Sequence, residues 1–318
     1  MKKFFKHIFI FTLFSTLIYA LIVILWIHNV SSVSLRKNGL FPMGNKGFLN
    51  TRLEEVDTVK NIDLLFLGSS HAYRGFDSRI FELEGINTFN LGSPSQTPTQ
   101  TEVLIARYLD QLNPKVVIYE VYPSIFQNDG VESGLDFIAN TYLDSEIIKM
   151  CFRINHIKIY NALIYDLARE MLHINRDVNT STDNLTDQYI SGGFVATSKT
   201  SNLSPINDHM KAIYSGKKWI IQDKQWLAFR NIIKRLKNRN ITVLLLQAPV
   251  TRDAYQLYTN NYEIDSMFQT LAPYFNLNES MKMDDKFDFM DYHHLNQSGV
   301  RKVNNSVLEI LSLETSLN

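Results

Sequence analysis

The stretch from Ile62 to Asp77 limits the folds open to this chain more than any other. It reads Ile-Asp-Leu-Leu-Phe-Leu-Gly-Ser-Ser-His-Ala-Tyr-Arg-Gly-Phe-Asp. Its first six residues form the short, nearly continuous apolar run of a parallel strand buried on both faces, and the run stops at Gly68. In open α/β sheets ligands sit outside the carboxyl ends of the strands. The two hydroxyls and the imidazole that follow, Ser69, Ser70 and His71, therefore stand where chemistry is commonly done. Ser70 is the candidate reactive group. The alternative is that Ser69 and Ser70 only turn the chain or cap the next helix.

A second stretch, Asp291-Tyr292-His293-His294-Leu295-Asn296-Gln297-Ser298-Gly299, bears on that choice. A serine hydroxyl is a poor nucleophile at neutral pH unless a base takes its proton, and an imidazole serves best when a carboxylate fixes its tautomer. Asp291 and His294 supply both groups on one short turn, with Nδ1 toward the carboxylate and Nε2 toward another segment. Two other readings stand beside this one. The stretch is a solvated acidic loop, or His293 and His294 join Asp284, Asp285 and Asp288 in a metal site, although the run lacks the ligand spacing of zinc motifs.

Gly68-Ser69-Ser70 behind a first strand, Asn90-Leu91-Gly92 behind a second, and Asp291-x-x-His294-Leu295-Asn296 with Gly299 near the carboxyl terminus together resemble the SGNH (GDSL-like) hydrolase superfamily. The closer likeness is to its membrane-anchored bacterial branch of cell-surface polymer acyltransferases and esterases. The resemblance covers most of residues 60–123 and 240–315. It implies a three-layer α/β fold with a flavodoxin-like parallel sheet, with Ser70 as nucleophile, His294 as base, Asp291 as its orienting partner, and the Ser70 and Gly92 N–H groups as oxyanion donors. Many relatives carry an asparagine near the end of the third strand as a further donor. This chain has Glu120 there, which cannot donate when ionised and opposes a developing negative charge. Glu120 pairing with a base such as Arg74 is the competing account.

Residues 8–27 contain no charged side chain, and about 20 helical residues span a bilayer's hydrocarbon core. Lys2, Lys3 and Lys6 precede this run, which by the positive-inside tendency leaves the amino terminus in the cytoplasm and exports the rest; Arg36 and Lys37 weaken the contrast. A cleaved signal peptide has a shorter apolar core and a small-residue cleavage site, so an uncleaved anchor is preferred. The expected organisation is a cytoplasmic stub and transmembrane anchor over 1–28, a tether over 29–60 and an SGNH-like domain over 61–318. With 32 basic and 32 acidic residues among 318, nothing favours nucleic acid as a partner. The single cysteine, Cys151, forms no intrachain disulfide and reads as a buried thiol.

Helices are expected over 76–84, from a Thr99 to Glu102 capping box to Leu112, over 223–238 and over 298–313, with strands over 88–91, 116–121 and 242–246. Residues 124–216 exceed a simple connection and read as a partly helical, cap-like insertion. It contains a helix from Ile157 to Leu172, a polar loop over 179–187 and a Gly192-Gly193-Phe194 turn suited to close approach by a ligand. Tyr142, Tyr160 and Tyr165 are candidates for stacking on sugar rings, with core packing as the alternative. Arg74, Glu120, Gln247 and Arg252 are candidate substrate contacts.

The function implied is that of an extracytoplasmic serine esterase or O-acyltransferase that needs no cofactor or metal. It would act on acyl, foremost acetyl, esters of a cell-surface polysaccharide or cell-wall polymer. The partners are that acyl-bearing glycan, the membrane through the amino-terminal helix, and a membrane acyl-donor protein. The alternative is a catalytically inactive relative that binds or assembles surface glycan during export or modification, which the Glu120 departure motivates.

Overall fold

The computed structural model describes residues 1–29, 47–174, 186–200, 216–315 and 317. The expected tether lies outside the described residues up to position 46, and the polar loop over 179–187 up to position 185. Two compact units emerge, one from residues 1–44 with 131–179 and the other from residues 45–130 with 180–318.

The smaller unit is helical. Helix α1 (Lys2–Asn29) is joined by α2 (Val131–Asn140), α3 (Ser145–Ile154) and α4 (Ile157–Met171). The sequence reading had only α4 of the last three. Helix α1 is long and apolar enough to cross a membrane. Its Val23 and Ile27 are buried with Tyr165 of α4, and Ile164 packs on that cluster. Tyr165 is therefore a packing residue rather than a free stacking surface. Cys151 is buried, as its apolar neighbours imply.

The larger unit is built on five parallel strands, β1 (Leu64–Leu67), β2 (Thr88–Asn90), β3 (Val116–Glu120), β6 (Thr242–Gln247) and β7 (Tyr274–Asn276), in the order β2-β1-β3-β6-β7. An antiparallel hairpin of β4 (Asp187–Ile190) and β5 (Phe194–Thr197) stands apart from this sheet. β1 and β3 are buried at every position, which explains their unbroken apolar sequence. Side chains alternate across the sheet, so Leu64, Phe66, Ile118 and Leu244 pack with Phe76, Phe81, Val300, Val303 and Val307 on one face. On the other face Tyr119 meets Phe229 of the helix Asp223–Lys237, their ring centroids 5.1 Å apart. Helices thus cover both faces. β1 pairs with β2 on one side and β3 on the other, so strand order reverses at β1, and crevices at such reversals hold ligands in sheets of this kind.

Two local readings are corrected. The helix ending at Leu112 begins at Pro98 with Thr97 as its cap, not at Thr99. The Gln100 side chain accepts from the Thr97 N–H at 3.1 Å, and proline suits the first helical position because its missing N–H would have no partner there. The Gly192-Gly193 turn is the tip of the β4–β5 hairpin, and the close approach it permits is to the chain itself. Gly193 has φ +86°, and a Cβ there would lie 2.3 Å from the Asn90 carbonyl oxygen. Gly193→Ala is accordingly expected to lower stability by about 2 kcal/mol or more, read as a fall in denaturation midpoint; an unchanged midpoint would refute the tight packing.

Candidate active site

The turn that carries Ser70 follows from the crowding at the end of β1. Gly68 has φ +142°, and a Cβ there would sit 2.9 Å from Glu120 Cβ and 3.0 Å from Ala72 Cβ, so the chain turns only with glycine. A short helix, Ser70–Gly75, starts at once. Ser69 is its cap, its hydroxyl accepting from the His71 N–H at 3.4 Å. The capping role therefore belongs to Ser69, which leaves the Ser70 hydroxyl, partly exposed, available for other work.

The Asp291 to His294 turn is brought to Ser70 by anchors on either side. Phe289 and Leu295 are buried and bridged to one another, and the Met290 N–H donates to the His294 carbonyl at 2.9 Å. Beyond them Asn296 caps the helix Gln297–Glu314. Thr251 donates through its N–H and its hydroxyl, each at 3.0 Å, to the Tyr292 carbonyl. Asp291 Oδ1 accepts the backbone N–H groups of His293 and His294 at 2.9 and 2.8 Å, which closes the turn and orients the carboxylate. His294 Nδ1 then lies 2.9 Å from Asp291 Oδ2, and His294 Nε2 lies 2.8 Å from Ser70 Oγ. Carboxylate, imidazole and hydroxyl form one hydrogen-bonded row.

Burial alone would raise the Asp291 pKa. The hydrogen bond and charge of His294 and the two backbone N–H groups outweigh it and hold the carboxyl below its ordinary range. Behind the row lie two buried titratable groups. Desolvation, reinforced by His294 and His293, keeps His71 well below the usual imidazole range. Its ring stacks on Tyr122, centroids 4.2 Å apart, and meets His294 edge-on at 5.2 Å. Glu120 is fully buried, and desolvation pushes its carboxyl up to about 8 against the Ala248 and Tyr122 N–H groups. A carboxyl raised this way favours its protonated form at neutral pH, in which it carries no charge to oppose an oxyanion. Nor does Glu120 pair with Arg74, which bonds Asp187 at 2.7 Å. Glu120 Oε1 lies 3.8 Å from His71 Nδ1, and neither that nitrogen nor Glu120 Oε2 has a hydrogen-bond partner among the described residues.

The titration of Glu120 gives a test. The carboxyl is raised from 4.5 to about 8, so its contribution to stability is fully present below 4.5 and is lost as pH climbs through 8. Glu120→Gln keeps the shape of the protonated acid and removes its titration. The midpoint of the variant relative to wild type is expected to climb from about pH 5 to 8, at up to about 1.4 kcal/mol per unit. His71 lies 3.8 Å from Glu120 and titrates with it, so the comparison is repeated in a His71→Gln background. A difference flat in pH would show that Glu120 is ionised.

The remaining sequence candidates divide. The Gly92 N–H donates to Asn90 Oδ1 at 2.9 Å, so an oxyanion would have to share it with that side chain or take it over. The Ser70 N–H, at the first helical position, makes no hydrogen bond to another described residue. Arg74 is committed to Asp187, and buried Gln247 accepts from the Tyr274 hydroxyl at 2.8 Å. Arg252 lines a cleft of about 750 Å³ with Val250, Tyr255, Met281, Lys282 and Asp285. Asp288 bonds Lys302 and Ser298, Asp285 accepts from the Arg252 N–H, and no cluster of three or more ligating side chains forms among the described residues. Sequence reasoning missed an aromatic wall beside the histidines. Tyr122 meets Trp219 edge-on at 5.8 Å and His293 at 6.4 Å, and Trp219 stacks on Tyr258. Its members come from three separate segments, and only Tyr122, after an apolar strand, carried a local signal.

Comparison with known proteins gives mixed likenesses. The model of glycosyltransferase family 9 (heptosyltransferase) matches residues 169–290. No curated protein matches. Solved structures similar to the chain include a chain assigned as an acylhydrolase from Bacteroides fragilis, at 12% identity and TM-score 0.43, covering 86% of this chain and 99% of that one. A GDSL-like lipase from Bacteroides thetaiotaomicron shows 8% identity and TM-score 0.41, with 83% and 96% covered. A family 3 carbohydrate esterase from Clostridium thermocellum shows 13% identity and TM-score 0.36, with 80% and 100% covered.

Proposed function

We propose that this chain is a membrane-anchored serine esterase or O-acyltransferase that works through an acyl-enzyme on Ser70. The observation that carries the reading is the unbroken row from Asp291 through His294 to Ser70. Ser70 Oγ attacks the carbonyl carbon of an ester while His294 Nε2 takes its proton, and Asp291 stabilises the imidazolium. The Ser70 N–H, with Gly92 where Asn90 yields it, holds the oxyanion. His294 returns the proton to the departing alcohol oxygen, leaving the acyl group on Ser70. Water or a sugar hydroxyl then attacks it by the same steps in reverse. The upward shift of the Glu120 carboxyl, which favours its neutral form, weakens an electrostatic objection to this chemistry. Residues 169–290, matched to glycosyltransferase family 9, stop short of Asp291 and His294 and exclude Ser70, so that likeness does not reach the groups on which the reading rests.

The substrate class is argued from α1, which would hold the site near a membrane surface on its outer side, and from the half-buried Tyr122 and Tyr258 beside the histidines, which leave an aromatic edge for a sugar although His71 stacks on Tyr122 and buried Trp219 on Tyr258. An acyl ester of a surface glycan or cell-wall polymer meets both conditions, with acetyl the first acyl group to try. Purified protein incubated with an acetyl donor ester and candidate glycans is expected to yield acetylated sugar or acetate by mass spectrometry, each requiring Ser70. Acetylated glycan establishes transfer and acetate alone an esterase. The occupied Gly92 N–H favours the second reading, a glycan-binding protein without chemistry, which would give glycan binding but neither product. For the anchor, the intact chain is expected to need detergent for extraction, and external protease is expected to release a fragment beginning beyond Ser34. Recovery of the full chain from the soluble cytosol would end that part of the reading.

A further inference from the structure

Helix α4 carries two apolar faces where a helix on a soluble unit needs one. Ile159, Ala162 and Leu163 face inward with Asp166 and Arg169, which pair with each other. A second set, Ile157, Tyr160, Ile164, Leu167 and Met171, recurs at three- and four-residue spacing and so forms one stripe along the helix. That stripe faces outward, with Ile157 56%, Leu167 42% and Met171 79% exposed. It holds no charged residue; Lys158, Asp166, Arg169 and Glu170 all fall on other faces. Phe152 of α3 is 63% exposed and extends it, its ring 5.8 Å from that of Tyr160.

What covers the stripe follows from where α4 lies on α1. The Tyr19 hydroxyl donates to Asn161 Oδ1, and Val23 and Ile27 bury Tyr165. Tyr19 precedes Ile27 by about 12 Å along the helix, so α4 runs beside the last turns of the apolar span rather than past its end. The α1 side chains of those turns that do not face α4, Ile18, Leu21, Ile22 and Leu25, are exposed as well, and Ile164 of the stripe packs on the cluster of Val23, Ile27 and Tyr165. Two helices packed side by side at the same depth, each with exposed apolar side chains, call for the same apolar medium. We infer that α4 lies in the same membrane leaflet as the carboxyl-terminal half of α1, its stripe immersed in lipid acyl chains. The Tyr19–Asn161 hydrogen bond satisfies two polar groups that would otherwise be stranded there. The inference rests on α1 being a membrane anchor and is independent of the chemistry at Ser70.

Single nitroxide labels on the full-length protein in lipid nanodiscs test it. They are placed at Leu167→Cys and Met171→Cys, with Glu170→Cys as the water-facing control and Phe14→Cys as the control in α1. Burial pushes the Cys151 thiol up to about 12, which keeps it out of the labelling. Collision with oxygen relative to a water-soluble nickel chelate is expected to be several-fold higher at 167 and 171 than at 170, and comparable to that at 14. If 14 is in lipid while 167 and 171 match 170, the inference falls and the anchor stands. If 14 also collides with the chelate, the anchor reading fails and takes the inference with it. Low collision with both reagents at 167 and 171 would mean that protein, such as a second copy of this chain, covers the stripe, which also overturns it.

Discussion

Ser70→Ala and His294→Ala are each expected to cut turnover of a short-chain aryl ester by about 10⁴-fold or more, with the unfolding profile nearly unchanged. The two losses should not add, because the hydroxyl and the imidazole act on one proton across a single 2.8 Å contact. Asp291→Asn tests the third member more gently. An amide can still accept the backbone N–H groups of His293 and His294, so the turn survives, but it no longer stabilises an imidazolium on Nδ1. A fall of about 10²- to 10⁴-fold is expected there. His293→Ala should retain much activity, since that exposed ring bonds neither Ser70 nor Asp291 through its nitrogens. Equal losses at the two histidines would point to a shared metal or to misfolding, and metal analysis would separate those cases. A fluorophosphonate probe that labels wild type and Ser70→Ala alike would sink the assignment outright.

The parts of this site that were legible in the sequence are those whose cause is local. β1 and β3 are buried on both faces and so spell themselves as apolar runs, and Gly68 marks the turn because no side chain fits between Glu120 and Ala72. Asp291 and His294 meet within one turn, so their spacing alone carried the pairing. What escaped depends on partners far along the chain. Arg74 finds Asp187, not Glu120, and nothing near either residue announces it. The state of Glu120 is set by the protein that surrounds it, which the identity of the residue does not report. β7 is three residues long and only half-buried, too brief for its alternation to register. The resemblance implied the Gly92 N–H as an oxyanion donor, and only the folded turn shows that the Asn90 side chain also accepts from it.

Arg52→Met is expected to destabilise the larger unit by about 3 kcal/mol, a drop in melting midpoint of about 6–12 °C. Arg52 sits on the helix Leu49–Val56, whose Leu49, Leu53 and Val56 are buried at helical spacing, and its side chain is entirely buried with them. Its guanidinium donates to the Gly193 carbonyl at 2.8 and 3.1 Å and to the Gly47 carbonyl at 2.9 Å, between the rings of Tyr73 and Tyr189. Glu55, one turn on, accepts from the Gly192 N–H at 2.9 Å and from the Tyr189 and Ser191 hydroxyls, so the helix grips the hairpin tip from two sides. That tip is continuous with the site. The Asn90 N–H donates to the Gly192 carbonyl at 2.9 Å, and the Asn90 side chain bonds the Ala72 carbonyl and the Gly92 N–H at 2.8 and 2.9 Å. Ala72 lies two residues past Ser70 in the same short helix. Methionine fills the aliphatic part of the slot but leaves the buried Gly193 carbonyl and the half-buried Gly47 carbonyl without this donor, and lysine restores a charge without the fork that reaches both. Arg52→Lys should therefore recover only part of the loss. At a temperature where Arg52→Met is still folded, kcat is expected to fall more than the folded fraction does, because the helix bearing Ser70 loses its support from behind. A midpoint within a degree of wild type would show that water or a rearranged turn replaces the guanidinium, and an unchanged kcat would confine its role to the hairpin.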